Sequence, residues 1–369
     1  MLPNPRPAEL DPDADCAEDL ASVLATLLGE MRFAELGQTV RSLDALRGSD
    51  RGRVLALCEA GRRLLDLDAV GFGEVAGVSP DLRDAVRAMQ FPPRADATQR
   101  GSLTSLAPLF GLMLECLELR WQRDETSYVT LLLHLMAEYL PLLAWEPVLG
   151  HAADPLRLRP WVTGTLWATA ECPAPQHRKS AAERVLLMRP ESPDGVQAEQ
   201  WKVYLDRWHA RVAGMLRQCA LRPGAGRPNP ESGGCDRPCG VVTQLDDDTL
   251  ADLAARVALA SGFADSPVVA LRHAAPVGHF FGVPERDEIA QQWKVTVERL
   301  CRPWGTPGVG CDLGNPIGGG LEVDEDEALP GLIGFLSVVA GRPIRPTTLL
   351  SQLREDISRV LSPLLAPTA

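Results

Sequence analysis

The residues best suited to gripping a metal are Cys219, Cys235 and Cys239, with His209 upstream of them. A structural zinc centre takes four such ligands in a tetrahedron, usually from two close-set pairs. Here Cys235 and Cys239 are spaced Cys-x3-Cys, and Cys219 has no near partner. The three cysteines are therefore weak metal candidates, and a loop carrying reduced thiols is the plainer account. Asp246, Asp247 and Asp248, with Asp252 beyond them, form a carboxylate cluster of a type that grips magnesium. Consecutive aspartates do not share one helix face, however. A cap by Asp248 on a helix beginning at Thr249, with its neighbours favoured by the helix dipole, accounts for them better.

His273 and His279 flank a short proline-containing turn. No Ser or Cys nucleophile motif accompanies them, so they read as structural or surface histidines. Gly305, Gly308, Gly310, Gly314 and the run Gly318-Gly319-Gly320 resemble a phosphate loop only in composition. They lack the Gly-x4-Gly-Lys-Ser/Thr pattern, no strand precedes them, and Glu322, Asp324, Glu325, Asp326 and Glu327 follow directly. Such a negative run opposes a phosphate and suits the positive end of the next helix. No cofactor is expected from this chain.

The strongest pattern is a duplication. Gln200-Trp201-Lys202-Val203 returns as Gln292-Trp293-Lys294-Val295, and the chain holds only one other lysine, Lys179. Each copy opens a segment of helical period, which predicts two similar helices. Trp201, Trp208 and Trp293 fill gaps between helices, or else they anchor a partner-facing surface rimmed by Arg207, Arg211 and Arg299. Tryptophan and arginine are favoured at such interfaces.

These residues must be positioned by helices. Period-3.6 stripes run through Leu20–Met31, Phe33–Leu43 (ended by Gly48), Val54–Leu65, and Leu82–Met89 behind a Ser79-Pro80 start. They continue through Ser102–Arg120, Ser127–Leu143, Trp161–Ala170, Ala181–Met188, Val196–Cys219, Thr249–Ser261, Asp287–Cys301, Leu329–Ala340 and Thr347–Leu361. Strand signals are confined to Val241–Thr243, Val268–Leu271 and Phe280–Val283. The expected fold is all-α or nearly so and multi-helical, a repeat-like helical array with long irregular loops. Residues 1–13 read as a disordered tail, 14–220 as one helical domain, 221–240 as a Pro/Gly-rich linker, and 241–369 as a second helical domain.

A chain of 369 residues can bury a sizeable core. Its net charge of −12 argues against nucleic acid and anionic membranes, which reward a positive field. Arginine outnumbers lysine 34 to 3, which reads as coding bias from a GC-rich genome. Nine scattered cysteines and a Pro- and Asp-rich start without an apolar leader fit a reducing, cytoplasmic compartment. The most apolar stretch, Val129–Leu149, is broken by His134, Glu138, Pro141 and Glu146, so it reads as a core helix and no membrane span is expected. Together these features point to a non-enzymatic interaction module whose partner is another protein, with homo-oligomer formation left open. The alternatives are a helical enzyme using Asp246–Asp248, His273, His279 and the acids near Glu325 in a cleft between its halves, and a dedicated chaperone for one client.

Overall fold

Amphipathic stripes set the architecture, and among the described residues the chain forms α-helices and 3-10 turns with no strand. The computed structural model describes residues 12–43, 46–68, 77–162, 198–207, 209–212, 240–273, 282–302, 315–318 and 320–365. The chain divides into two compact units, Met1–Arg87 with Thr348–Ala369, and Ala88–Thr347. The linker expected at 221–240 lies outside the described residues, Gly240 apart, as do the first eleven residues of the expected tail.

In the first unit, α1 (Pro12–Gly29), α2 (Phe33–Arg41), α3 (Gly48–Leu65) and α14 (Leu349–Leu365) pair around a closed circuit: α1 on α2, α2 on α3, α3 on α14, and α14 on α1. Each offers an apolar stripe to the others. Leu350, Leu353, Ile357 and Leu361 of α14 follow helical spacing and are fully buried. Burying each such side chain contributes about 1.5–3 kcal/mol. Gly61 lets α2 and α3 close in, because a Cβ there would stand 2.5 Å from the Phe33 ring. Gly48 does not end a helix as its composition suggested; it opens α3, and α2 stops at Arg41. The start at Ser79 holds: its hydroxyl accepts the Leu82 N–H at 3.2 Å and caps α4 (Pro80–Met89).

The second unit is organised by α6 (Thr126–Leu149). Packed on it are α5 (Ala107–Gln122), α10 (Asp247–Ala264), α11 (Pro267–Ala270), α12 (Arg286–Leu300) and α13 (Leu332–Ala340). The run through Ser102–Arg120 is split, since Gly101–Leu103 is a 3-10 turn and α5 begins only at Ala107. Pro141 and Pro147 lie inside α6 without ending it. Proline cannot donate to the carbonyl four residues back, but dense apolar burial on most faces of α6 offsets that loss. By length and composition, Thr126–Leu149 and Asp247–His273 are long and apolar enough to cross a membrane; the protein itself buries 56% and 61% of those windows. Buried polar groups tie the helices together. Arg256 of α10 is 4% exposed, donates to the Ala144 carbonyl of α6 at 3.0 Å, and pairs with Asp252 at 2.7 Å. The Glu146 carboxylate of α6 accepts the Leu106 N–H at the start of α5 and pairs with Arg342. Burial raises its pKa above the usual carboxylate range.

Two of the three expected strands are helical. Val241–Thr243 lies in α9 (Gly240–Thr243), and Val268–Leu271 forms α11 and the start of a 3-10 turn. A short β-branched run fits a buried helical turn as well as a strand. Here Ser266-Pro267 sets a helix start, and the Val268 N–H goes to the Thr296 hydroxyl instead of a neighbouring strand. Of the third, Phe280 and Phe281 lie outside the described residues, and Gly282 and Val283 are irregular.

Candidate functional site

The duplicated segments form helices α8 (Ala198–Arg207) and α12, and both copies use the same positions in the same way. Trp201 and Trp293 are 1% and 3% exposed. Each indole N–H donates to a proline carbonyl: Trp201 to Pro92 at 2.6 Å, and Trp293 to Pro330 at 3.0 Å. The residue three positions on is also buried, Tyr204 in one copy and Thr296 in the other, while Lys202 and Lys294 are exposed. Trp201 stacks on Tyr204, and Trp293 meets Phe263 and Phe335 edge-on. The repeated tetrapeptide is thus a docking device turned inward, a large aromatic whose single polar atom is satisfied by a carbonyl. Of the residues expected to form an interaction surface, Trp201 and Trp293 lie in the core, Arg207, Arg211 and Arg299 are exposed, and Trp208 falls outside the described residues.

The candidate chemistry is dispersed. Cys219, Cys235, Cys239 and His279 lie outside the described residues. His209 is fully buried with Nε2 against the Ala152 carbonyl at 2.8 Å, so that nitrogen is already engaged. The helix after the aspartates is capped by Asp246 and not by Asp248: its carboxylate accepts the Thr249 N–H at 2.7 Å and the Thr249 hydroxyl at 3.0 Å. Asp247 and Asp248 instead occupy the first turn of α10. The backbone N–H bond from Thr249 lowers the pKa of Asp246, as expected for a capping carboxylate. Among the described residues no three His, Cys, Asp or Glu side chains are grouped so as to hold a metal ion.

The acidic run after the glycines does build a surface. An open groove of about 930 Å³ lies along α13, walled by Pro316, Ile317 and residues 320–325 on one side and 341–345 on the other. The helix divides its residues by face. Leu332, Phe335, Leu336 and Val339 are buried in the core, while Ile333, Gly334, Ser337 and Val338 line the groove. Gly334 permits the close approach of one wall, since a Cβ there would stand 2.8 Å from the Glu322 carbonyl oxygen. Glu327 folds back to accept the Ile333 N–H at 3.4 Å, and burial raises its pKa. Glu322, Asp324 and Glu325 are exposed along the rim, beside Val323, which is 55% exposed. Two guanidiniums oppose these acids, and one of them, Arg342, is committed to Glu146. The groove therefore combines apolar walls with a net negative rim. It contains Glu325 but neither Asp246–Asp248 nor His273.

A second constellation had no signal in the sequence. Arg100 grips Asp154 through two hydrogen bonds of 2.7 and 2.8 Å, and Asp154 is 1% exposed. Arg100 also donates to the Ala95 and Ala97 carbonyls, and its guanidinium lies 5.8 Å from the Trp201 ring centroid. Beside this pair are His151, His209 and Tyr204, all buried, with Phe91 and Tyr139 against the His209 ring. Burial pushes both histidines down to about 4, so each is neutral at pH 7. No local pattern marks the group, because its members come from a loop, a turn and a helix far apart in sequence.

No family model matches this chain, and neither a curated protein nor a solved structure matches it.

Proposed function

We propose that this protein is a non-enzymatic interaction module that holds a basic, partly apolar segment of another protein in the groove along α13. The observation that carries the reading is the pairing of apolar walls with a carboxylate rim in one open groove. Charge complementarity selects the occupant: arginine or lysine side chains meet Glu322, Asp324 and Glu325, while apolar neighbours settle on Ile333 and Val338. The nine residues of α13 span roughly 14 Å, the length of about four extended residues. A short linear motif fits that length. A dedicated chaperone is the same reading with a client as the partner. Placement in a reducing, cytoplasmic compartment belongs to this proposal and rests on the nine scattered cysteines of the sequence.

The test is selection of phage-displayed random peptides on the full chain, followed by binding measurements on the enriched sequences. The expected outcome is a motif pairing Arg or Lys with apolar residues. Glu322→Lys with Glu325→Lys should weaken binding at least tenfold and reduce its salt dependence. Enrichment of acidic motifs, no enrichment, or equal binding by the double variant would overturn the proposal.

A further inference from the structure

Residues 321–324, in the acidic wall of the groove, lie in no helix or turn, and their contacts with α13 and its N-cap give their conformation. The nitrogen and the carbonyl oxygen of Glu322 both lie against the helix: a Cβ on Gly334 would stand 3.6 Å from the one and 2.8 Å from the other. A residue whose N–H and C=O share one side is extended, because helical backbone sends them in opposite directions along its axis. Leu321 and Val323 both lean on Gly331, their side-chain atoms 3.4 and 3.5 Å from a Cβ placed there. That is the period of two of a β-strand.

The same alternation places the neighbouring polar groups. With those of Glu322 turned to the helix, the N–H and C=O groups of Leu321 and Val323 point away from it. None of these four groups has a hydrogen-bond partner among the described residues. A preformed edge of this kind is a template for a further strand, and proteins guard such edges with charge. Here the guards are all negative, Glu322, Asp324 and Glu325, set around the exposed Val323. An antiparallel second copy would bring carboxylates beside carboxylates, so the edge repels itself and favours a basic strand.

We infer that the segment of the partner alongside this wall adds to it as an antiparallel β-strand, exchanging main-chain hydrogen bonds with Leu321 and Val323 and setting an Arg or Lys opposite Glu322. This rests on the proposed function for the charge of the occupant and adds how its backbone is held. Leu321 and Val323 then form the hydrogen-bonded pairs, and Glu322 forms the non-hydrogen-bonded pair between them, where facing side chains approach most closely. The antiparallel direction is the more stable one per residue. The recognised sequence therefore alternates, with apolar residues opposite Leu321 and Val323 and basic residues between and beside them.

The probe is fluorescein-Gly-Arg-Val-Arg-Val-Arg-Gly-amide, titrated against the full chain by fluorescence anisotropy. It should bind more tightly than the shuffled peptide Gly-Arg-Arg-Arg-Val-Val-Gly of equal charge. N-methylation of both valines, whose N–H groups face the edge, should weaken binding roughly tenfold or more. N-methylation of the central arginine, whose N–H faces away, should change it by less than about threefold. Val323→Pro removes one N–H from the edge without altering its charge, and should weaken binding about fivefold. Salt-dependent binding indifferent to residue order, to N-methylation and to Val323→Pro would overturn strand pairing while leaving the acidic groove as the binding site. Failure of the proposed function itself reads differently, as binding unaffected by Glu322→Lys with Glu325→Lys. No binding of the alternating peptide, a larger loss from the central N-methyl group than from those on valine, or dimerisation of the chain that Val323→Pro abolishes would each overturn the inference as well.

Discussion

Acidification should unfold this protein through its two buried histidines before most carboxylates titrate. Burial is the leading cause of both shifts. At His151 the nearby Arg157 adds to it, and Asp154 opposes it at both rings. The unfolded chain returns each ring to about 6.5, while the folded chain holds it near 4. The folded pKa is depressed, so the unfolded state takes up the protons first. Stability is then fully present above pH 6.5 and falls as the pH drops toward 4. At 1.36 kcal/mol per pH unit, the difference is roughly 3 kcal/mol for each ring. Near pH 5 both unfolded rings are charged and both folded rings are neutral, which gives a slope of roughly 2.7 kcal/mol per pH unit. Glu146 and Glu327 act in the opposite sense, because their raised pKa values favour the folded state as they protonate. The comparison must therefore be between wild type and variant across pH. Urea unfolding at pH 7, 6 and 5 should show the steep loss in the wild type. His151→Asn, which keeps an acceptor for the Asp154 N–H, and His209→Gln, which keeps a donor for the Ala152 carbonyl, should each remove about half of the slope. A variant whose slope equals that of the wild type would refute the assignment of buried neutral imidazoles.

Three other perturbations test other parts of the structure by urea or thermal unfolding. Asp154→Ala leaves the guanidinium of Arg100 largely buried without its partner and removes the acceptor of the Leu156 N–H at the start of α7 (Pro155–Val162), so it should cost about 3–5 kcal/mol. Asp154→Leu with Arg100→Met should recover most of that loss, and strict additivity of the two single changes would show that the pair is not coupled. Gly334→Ala improves helix propensity by about 1 kcal/mol, yet it places a Cβ against the Glu322 carbonyl; the clash should win, lowering stability and weakening any motif bound in the groove. Trp201→Phe leaves the buried Pro92 carbonyl without its indole donor and should cost about 1–3 kcal/mol; Trp293→Phe frees the carbonyl of Pro330, an exposed residue that water reaches, and should cost less, about 0.5–1.5 kcal/mol. A change below 0.5 kcal/mol at either site would remove the case for equivalent roles.

Legibility followed the range of the forces involved. Helical stripes are local, and those in α10, α12 and α14 match the helices to within about four residues because burial obeys the same period that sequence displays, while α3 starts at Gly48 rather than Val54 and α6 runs on to Leu149 rather than Leu143. Ends were harder. Asp246, Asp247 and Asp248 are equally good caps by type, and only the backbone turn at Asp246 decides which one accepts the Thr249 N–H. The β-branched pairs at Val241 and Val268 misled because so short a run shows no period. The tryptophan repeat was legible as a duplication but not in its orientation, since a large aromatic with an adjacent arginine suits a core and an interface alike. The acidic run was read correctly as the approach to a helix. What it could not reveal is that residues 320–325 lie along the helix they precede and so turn a loop into a groove wall; that contact depends on Gly334, and a lone glycine in an apolar helix carries no mark of what approaches it. The cluster of Arg100, His151, Asp154, Tyr204 and His209 was beyond reach for the same reason in stronger form. Its members are joined only by tertiary packing, and a single histidine or tyrosine in sequence says nothing about which carbonyl or backbone N–H will fix its proton.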